Sequence, residues 1–199
     1  MRTLKNTLLV STLVAAAFTL PSGAQTPSAA PPTALAPPPQ MLMNSPAFED
    51  GGILPPRYAG GAAAVSPALS WSQVPPGTQS FVMLMHDMEP VQNKTSKMDI
   101  THWLAWNIPA SSAGLAEGVP AGVLPDGTQQ ISIRTNGYFG PGAGPGKYHH
   151  YVFELYALDI KLTVPAAPPE HVVETRQAVF DAMDGHVLGK AILVSRFHR

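Results

Sequence analysis

Three clusters of polar residues stand at the ends of apolar segments in this sequence. They are the runs 86–90 (HDMEP), 101–103 (THW) and 149–151 (HHY). Side chains two residues apart in an extended segment point to the same side, so we expect Asp87 and Glu89 to share one face. Imidazoles, carboxylates and a tyrosine hydroxyl are groups that bind metals, transfer protons or hold anions. The three clusters are therefore the candidate site.

These residue types leave three kinds of site open. A metal site would use His102, His149 and a carboxylate, but the sequence has no HExxH or similar motif. A hydrolase would pair a histidine, as general base, with a carboxylate, but no Gly-x-Ser-x-Gly motif marks a nucleophile. An anion pocket would use histidine N–H groups, the Tyr151 hydroxyl and loop amides. The spacing of the motifs does not decide between the three.

The third cluster stands between a loop and a strand. Residues 140–146 (GPGAGPG) are glycine and proline, which predict a loop of defined shape. Residues 151–158 are apolar on most of both faces and rich in aromatic side chains, which is typical of a buried strand. We expect polar groups at such a junction to be held around a ligand. Arg134 and Lys147 are close in sequence, but their positions relative to the clusters are not determined by it.

The chain around these clusters has the pattern of a β-sandwich. Apolar runs separated by turn residues at intervals of roughly ten predict strands at 68–71, 80–86, 102–108, 130–135, 151–158 and 191–197. A helix is predicted from about Glu170 to Met183, and a shorter helical turn over 111–117. The buried face of the longer helix is predicted to carry Val172, Val173, Val179, Phe180 and Met183. The predicted fold class is mainly β, an antiparallel β-sandwich with a few peripheral helices.

The composition indicates one globular domain with few charges. Of the 199 residues, 45% are hydrophobic and 13% are charged. A net charge of −1, with only 12 Lys and Arg, provides no basic surface for phosphate backbones, so we expect no nucleic-acid partner. The sequence has no cysteine, which excludes disulfides and cysteine-based metal or catalytic sites. We expect no cofactor.

The N-terminal residues predict export. Residues 1–24 have two basic residues, an apolar run and small residues before Gln25, which are the features of a secretory signal peptide. The apolar run is short for a bilayer span of about 20 residues, so we expect no stable membrane insertion after cleavage. No cysteine follows it to carry a lipid. Residues 25–40 are a Pro/Ala-rich linker, residues 41–199 form the domain, and the expected location is periplasmic or secreted.

Four motifs resemble those of a known family. They occur in the order SPALSW, FVMLMHDMEP, HWLAWNIP and YFGPGAGPGKYHHYVFELYALD. Together they resemble the phosphatidylethanolamine-binding protein family, specifically its bacterial Raf-kinase-inhibitor-like branch, from about Met41 to the end of the chain. The resemblance implies a β-sandwich with a small pocket for phosphate and related anions. It also implies that the pocket is lined by Asp87, Glu89, His102, Gly140, Pro141, His149 and Tyr151.

These observations favour a secreted, non-catalytic protein that binds phosphate, a phosphate ester or a lipid head group. The alternatives are an inhibitor or regulator of a kinase or protease, which rests on the resemblance alone, and a hydrolase with a histidine–carboxylate pair. We expect Asp87 to accept a hydrogen bond from a histidine or a loop amide and so to orient it. An unperturbed histidine titrates near pH 6.5, so we expect anion affinity to rise on acidification.

Overall fold

The computed structural model describes residues 40–90, 94 and 99–199. The predicted signal peptide and all of the predicted linker except Gln40 lie outside this part. Within it, no helix has the length and apolar character that crossing a bilayer requires. The described chain forms nine strands and one α-helix: β1 Leu42–Asn44, β2 Gly52–Ile53, β3 Leu69–Ser72, β4 Ser80–Asp87, β5 Ile100–Pro109, β6 Gly114–Leu115, β7 Gln129–Ile131, β8 His149–Leu158, α1 Val172–Met183 and β9 Val187–Phe197.

The strands form two sheets that pack face to face. The larger sheet has the order β2-β9-β8-β4-β5-β7 and the smaller has the order β1-β3-β6. Trp71 of the small sheet packs on Phe81 of the large one, with 5.3 Å between ring centroids. Neighbouring strands are antiparallel except for β2, which runs parallel to β9. The predicted mainly β sandwich is confirmed.

The central strand β4 is buried on both faces because each face has its own cover. Phe81, Met83 and Met85 belong to the apolar cluster shared with the small sheet. Val82 and Leu84 belong to a second cluster, which includes buried residues of α1. Fully buried strands of this kind read as continuous apolar runs, which is the pattern of residues 81–85.

The helix is confirmed, but its buried face differs from the prediction. A short 3₁₀ turn, Pro169–His171, precedes α1. The buried positions are Val172, Thr175, Val179 and Met183, a stripe with spacings of three and four residues. Val173 is 37% exposed, because a step of one residue turns the side chain by about 100° around the helix axis. Its predicted burial is wrong, and Phe180 is only half-buried.

The helical turn predicted over 111–117 is also wrong. Residues Gly114–Leu115 form β6, which pairs with β3 through Leu69↔Leu115 and Ser70↔Gly114. A Cβ atom at Gly114 would lie 2.3 Å from the Leu69 carbonyl oxygen, so only glycine permits this approach. The gain of this edge pairing outweighs the local helical preference of the segment.

The strand predicted at 130–135 is shorter in the structure. It ends at Ile131, because Ser132 begins a turn in which its N–H donates to the Thr135 carbonyl over 2.7 Å. The Ser132 hydroxyl also donates to that carbonyl, over 2.9 Å. The remaining predicted strands are present, with ends that differ by a few residues.

One irregularity in strand pairing matters for the site. On the β4–β5 ladder Met85 pairs with Trp103, but the next residue, His86, pairs with Thr101. His102 is therefore an extra residue on β5 with no partner on β4, which defines a β-bulge. A bulge changes the direction of side chains locally, so His102 need not follow the in-and-out alternation of the strand.

Candidate functional site

A cavity of about 310 Å³ lies where β4, β5 and β8 meet the glycine-rich loop. Four of the predicted site residues line it: Asp87, His102, His149 and Tyr151. Ile100, Ile133 and Phe139 supply apolar wall. A larger depression of about 740 Å³ lies beside the C-terminal end of α1, but it contains none of the predicted site residues. The smaller cavity is therefore the candidate site.

Strand pairing brings the four residues together. Asp87, the last residue of β4, is the pairing partner of Tyr151 on β8. His149 and Tyr151 are two residues apart on the same strand, and their rings stack at 6.4 Å between centroids. The bulge on β5 directs His102 to the same place, where its ring meets the Tyr151 ring edge-on at 5.1 Å. Three strands thus contribute to one polar cluster.

The Asp87 carboxylate is fully used by the protein. It is 3% exposed. Its Oδ2 accepts a hydrogen bond from His149 Nδ1 at 2.8 Å, and its Oδ1 accepts one from the Glu89 backbone N–H at 3.1 Å. The hydrogen bond that we expect Asp87 to accept from a histidine is present. Because both of its oxygens hold protein donors, Asp87 orients His149 and leaves the cavity free of an unpaired carboxylate.

His102 is held in one protonation form by its surroundings. Its Nδ1 lies 2.6 Å from the Phe139 carbonyl oxygen, which can only accept, so Nδ1 carries the proton. Burial lowers the pKa of His102, because charging the ring in an apolar wall costs free energy, and the Phe139 carbonyl and Asp87 only partly oppose this. The expectation that charged histidines bind the anion is therefore wrong for His102, which favours the neutral form.

The Tyr151 hydroxyl is buried and makes no hydrogen bond of normal geometry within the described chain, although Asp87 and the backbone of residues 142–143 lie close enough to influence its pKa. Burial raises the pKa of Tyr151, and the negative charge of Asp87 raises it further. The hydroxyl therefore stays protonated at neutral pH, and it remains available as a donor. A buried polar group without a partner is uncommon, and in a cavity wall it indicates a place for a ligand atom.

Glu89 belongs to a neighbouring pair rather than to the cavity wall. Its carboxylate accepts hydrogen bonds from the His150 backbone N–H and from His150 Nδ1, each at 2.6 Å. Strand β4 ends at Asp87, two residues before Glu89, so the strand alternation that predicts a shared face for Asp87 and Glu89 does not reach Glu89. His150 itself is exposed.

A metal ion would compete with these hydrogen bonds. Asp87, Glu89 and His149 each offer a ligand atom, and the three atoms lie within 4.8 Å of one another. In the structure Asp87 and His149 bind each other, and Glu89 binds His150. Coordination through these atoms would have to replace contacts that already satisfy the carboxylates.

Gly140 and Pro141 do not line the cavity but position the loop that does. The Gly140 N–H donates to the Gly61 carbonyl over 3.0 Å, and the Pro141 carbonyl accepts from Gly60 over 2.8 Å. A Cβ atom at Gly140 would lie 2.5 Å from the Ala64 Cβ, so the close approach requires glycine. The loop residues that line the cavity are the next three, 142–144.

The sequence did not assign the cation at the mouth of the cavity. Arg134 lines it, whereas Lys147 does not. Arg134 follows the short strand β7 and is exposed. It forms no ion pair with another residue of the described chain, so its guanidinium is available to a ligand. No local motif marks this arginine, because its position depends on the turn that follows β7.

The comparisons with known proteins identify the family. The model of the phosphatidylethanolamine-binding protein family matches residues 44–198. This chain belongs to that family. A UPF0098 protein of Methanothermobacter thermautotrophicus is 42% identical over 163 residues, which are 80% of this chain and 99% of the relative. LppC of Mycobacterium tuberculosis, which its name describes as a lipoprotein, is 34% identical over 151 residues. These residues are 73% of this chain and 68% of LppC.

A solved structure agrees with this assignment. A phosphatidylethanolamine-binding protein homolog from Chlamydia trachomatis superposes with a TM-score of 0.65 and 26% identity. The match covers 80% of this chain and 98% of the homolog. The predicted family is confirmed, and membership of a family named for ligand binding indicates a binding protein.

The neutral form of His102 predicts a loss of stability in acid. Because burial lowers the His102 pKa below its ordinary 6.5, the unfolded chain takes up this proton at a higher pH than the folded chain does. The stability that depends on His102 is complete above about pH 6.5 and is lost as the pH falls toward the folded-state pKa. The free energy of unfolding, measured with urea at about pH 8 and about pH 5, should fall less between the two pH values for His102→Gln than for the parent.

The control for this prediction is His171→Gln. His171 is exposed in the turn before α1, so its replacement should leave the loss between the two pH values as large as in the parent. An equally large loss in His102→Gln would show that His102 does not contribute to the acid sensitivity.

Proposed function

We propose that this protein binds a small tetrahedral oxyanion, phosphate or a phosphate ester, in the cavity between Asp87, His102, His149 and Tyr151. The observation that carries the proposal is the buried Tyr151 hydroxyl, which stays protonated at neutral pH and makes no hydrogen bond of normal geometry within the described chain. An unsatisfied buried donor costs about 1–3 kcal/mol, and an anion oxygen would satisfy it.

The other groups around the cavity fit an anion. Arg134 brings a permanent positive charge, and guanidinium groups match the geometry of phosphate oxygens. The Asp87 carboxylate, which would repel an anion, is covered by His149 and the Glu89 amide. His149 Nε2 makes no hydrogen bond within the described chain and is open to a ligand.

The size of the cavity supports a small ligand. A volume of about 310 Å³ is at the low end for small-molecule pockets and accommodates an oxyanion with a modest substituent. Gly142 and Gly144 form part of the cavity wall without contributing a side chain to it.

The same residues support binding more than catalysis. The described lining contains no serine, threonine or cysteine that could serve as a nucleophile. Burial and the Asp87 charge keep the Tyr151 hydroxyl protonated, which makes it a poor nucleophile. The Asp87–His149 pair therefore orients a ligand group in this proposal and abstracts no proton.

Export is a further part of the proposed function. It is supported by the signal-peptide features of residues 1–24 and by the similarity to LppC, a protein named as a lipoprotein. The present chain has no cysteine to which a lipid could be attached, so we propose that it is exported in a soluble form. N-terminal sequencing of exported protein should give Gln25 as the first residue, and a product that keeps Met1 in the membrane fraction would contradict this.

Removing the Tyr151 hydroxyl should weaken binding without disturbing the fold. A hydrogen bond to a charged group contributes about 1.5–3 kcal/mol, so Tyr151→Phe should bind inorganic phosphate roughly 10- to 100-fold more weakly in calorimetry. Tyr148→Phe is the matched control, because Tyr148 lies on the adjoining exposed turn and does not line the cavity. Equal affinities of the two variants would remove Tyr151 from the site.

Removing the charge of Arg134 should weaken binding in a salt-dependent way. The guanidinium is exposed, so we expect Arg134→Gln to lower phosphate affinity by only a few-fold at low ionic strength. The difference from the parent should shrink as salt is added, because the interaction is screened. Lys147→Gln removes the same charge from an exposed position outside the lining and should bind like the parent. Identical affinities of Arg134→Gln and Lys147→Gln would contradict a role for Arg134.

A further inference from the structure

The cavity presents an acceptor as well as donors. His102 donates its only proton, on Nδ1, to the Phe139 carbonyl at 2.6 Å. In a neutral imidazole the second nitrogen then carries a lone pair, so Nε2 can only accept a hydrogen bond. Nε2 makes no hydrogen bond within the described chain, and with Nδ1 tied to the wall it is the ring nitrogen left for the cavity.

The acceptor character of Nε2 is fixed by the fold. The Phe139 N–H donates to the His102 carbonyl over 2.9 Å, so the backbones of His102 and Phe139 hold each other in place while the imidazole binds the Phe139 carbonyl. The ring also packs against the Phe139 and Tyr151 rings, with centroids 5.7 and 5.1 Å away. His102 is 4% exposed, and this burial opposes protonation of the ring.

We propose that the pocket selects oxyanions that carry a proton, with a P–OH group that donates to His102 Nε2, over oxyanions of the same charge that carry none. The inference rests on the proposed function, since it specifies which anions that site accepts. Hydrogen phosphate can do both: one of its oxygens accepts a hydrogen bond from the Tyr151 hydroxyl, and its P–OH group donates one to His102 Nε2. Sulfate and phosphodiesters have only acceptors. One of their oxygens would face Nε2 in the buried cavity, where the two lone pairs repel each other and neither forms a hydrogen bond.

This selectivity distinguishes between sources of the phosphate group. Inorganic phosphate carries a P–OH at and around neutral pH, and a monoester carries one below about pH 6. The phosphodiester linkage of a phospholipid head group carries none. The pocket should therefore prefer free phosphate or a protonated monoester to the head group of a membrane lipid.

The first test compares two dianions of similar shape. At about pH 8 inorganic phosphate is mainly HPO₄²⁻ and sulfate is SO₄²⁻, so the two differ chiefly in the P–OH proton. Calorimetry on the parent protein should show phosphate bound roughly 10- to 100-fold more tightly than sulfate. Equal affinities would overturn the inference and leave the anion site in place. An absence of binding by both anions would instead contradict the proposed function.

The second test concerns the source of the ligand. At about pH 6 inorganic phosphate is mainly the monoanion H₂PO₄⁻, and dimethyl phosphate is a monoanion without a P–OH. The diester should bind more weakly than phosphate by a similar roughly 10- to 100-fold factor. Diester binding as tight as that of phosphate would overturn the preference and would favour a phospholipid head group.

A variant and a spectroscopic measurement assign the selectivity to His102. The carboxamide of His102→Gln can donate or accept, so this variant should still bind phosphate but show a smaller preference over sulfate than the parent. His150→Gln, a replacement on the same strand as His149 outside the lining, should keep the parental preference. Should His102→Gln fail to fold, the ¹⁵N chemical shifts of His102 in the parent decide the question. An unprotonated Nε2 at about pH 8 supports the inference, and a protonated Nε2 overturns it.

Discussion

The site depends on the pairing of β4 with a strand on each side. Because β4 is buried on both faces and paired along both edges, its last residue, Asp87, cannot move without breaking the sheet. The ladder to β8 sets Tyr151 opposite Asp87 and places His149 two residues before it. The ladder to β5 contributes His102 through a bulge. The chemistry of the cavity is therefore built on rigid strands, and only its outer wall is a loop.

Much of the fold and the core of the site could be predicted from the sequence. Apolar runs of five to eight residues between turn residues indicate strands with little ambiguity, and the central strands at 80–86 and 151–158 are where the pattern places them. Polar residues directly after such runs are at the ends of strands, where a β protein holds its ligands. This reasoning found Asp87, His102, His149 and Tyr151, which all line the cavity.

The rest could not be predicted because it depends on contacts between distant segments. The bulge that directs His102 into the cavity is a shift in the pairing register of β4 and β5, and neither strand's sequence has a motif that indicates it. Arg134 reaches the mouth through a turn after β7, and β6 forms only because Ser70 offers an edge to Gly114. The sequence predicts Gly140 as a loop residue that lines the cavity. In the structure it lies outside the lining, where its close approach to Ala64 requires a glycine.

The outer loop of the cavity, residues 140–148, is anchored at both ends, so its middle can change in length or sequence without moving the strands. Gly140 and Pro141 fasten one end of the loop to residues 60–61, and β8 holds the other end. Between these anchors, Gly142, Gly144 and Gly146 have open space around them. Lengthening a loop is thermodynamically inexpensive, since each doubling costs only about 0.6 kcal/mol in closure entropy. Insertions between the anchors would therefore alter how bulky a molecule can enter, while the hydrogen-bonding groups on the strands stay where they are.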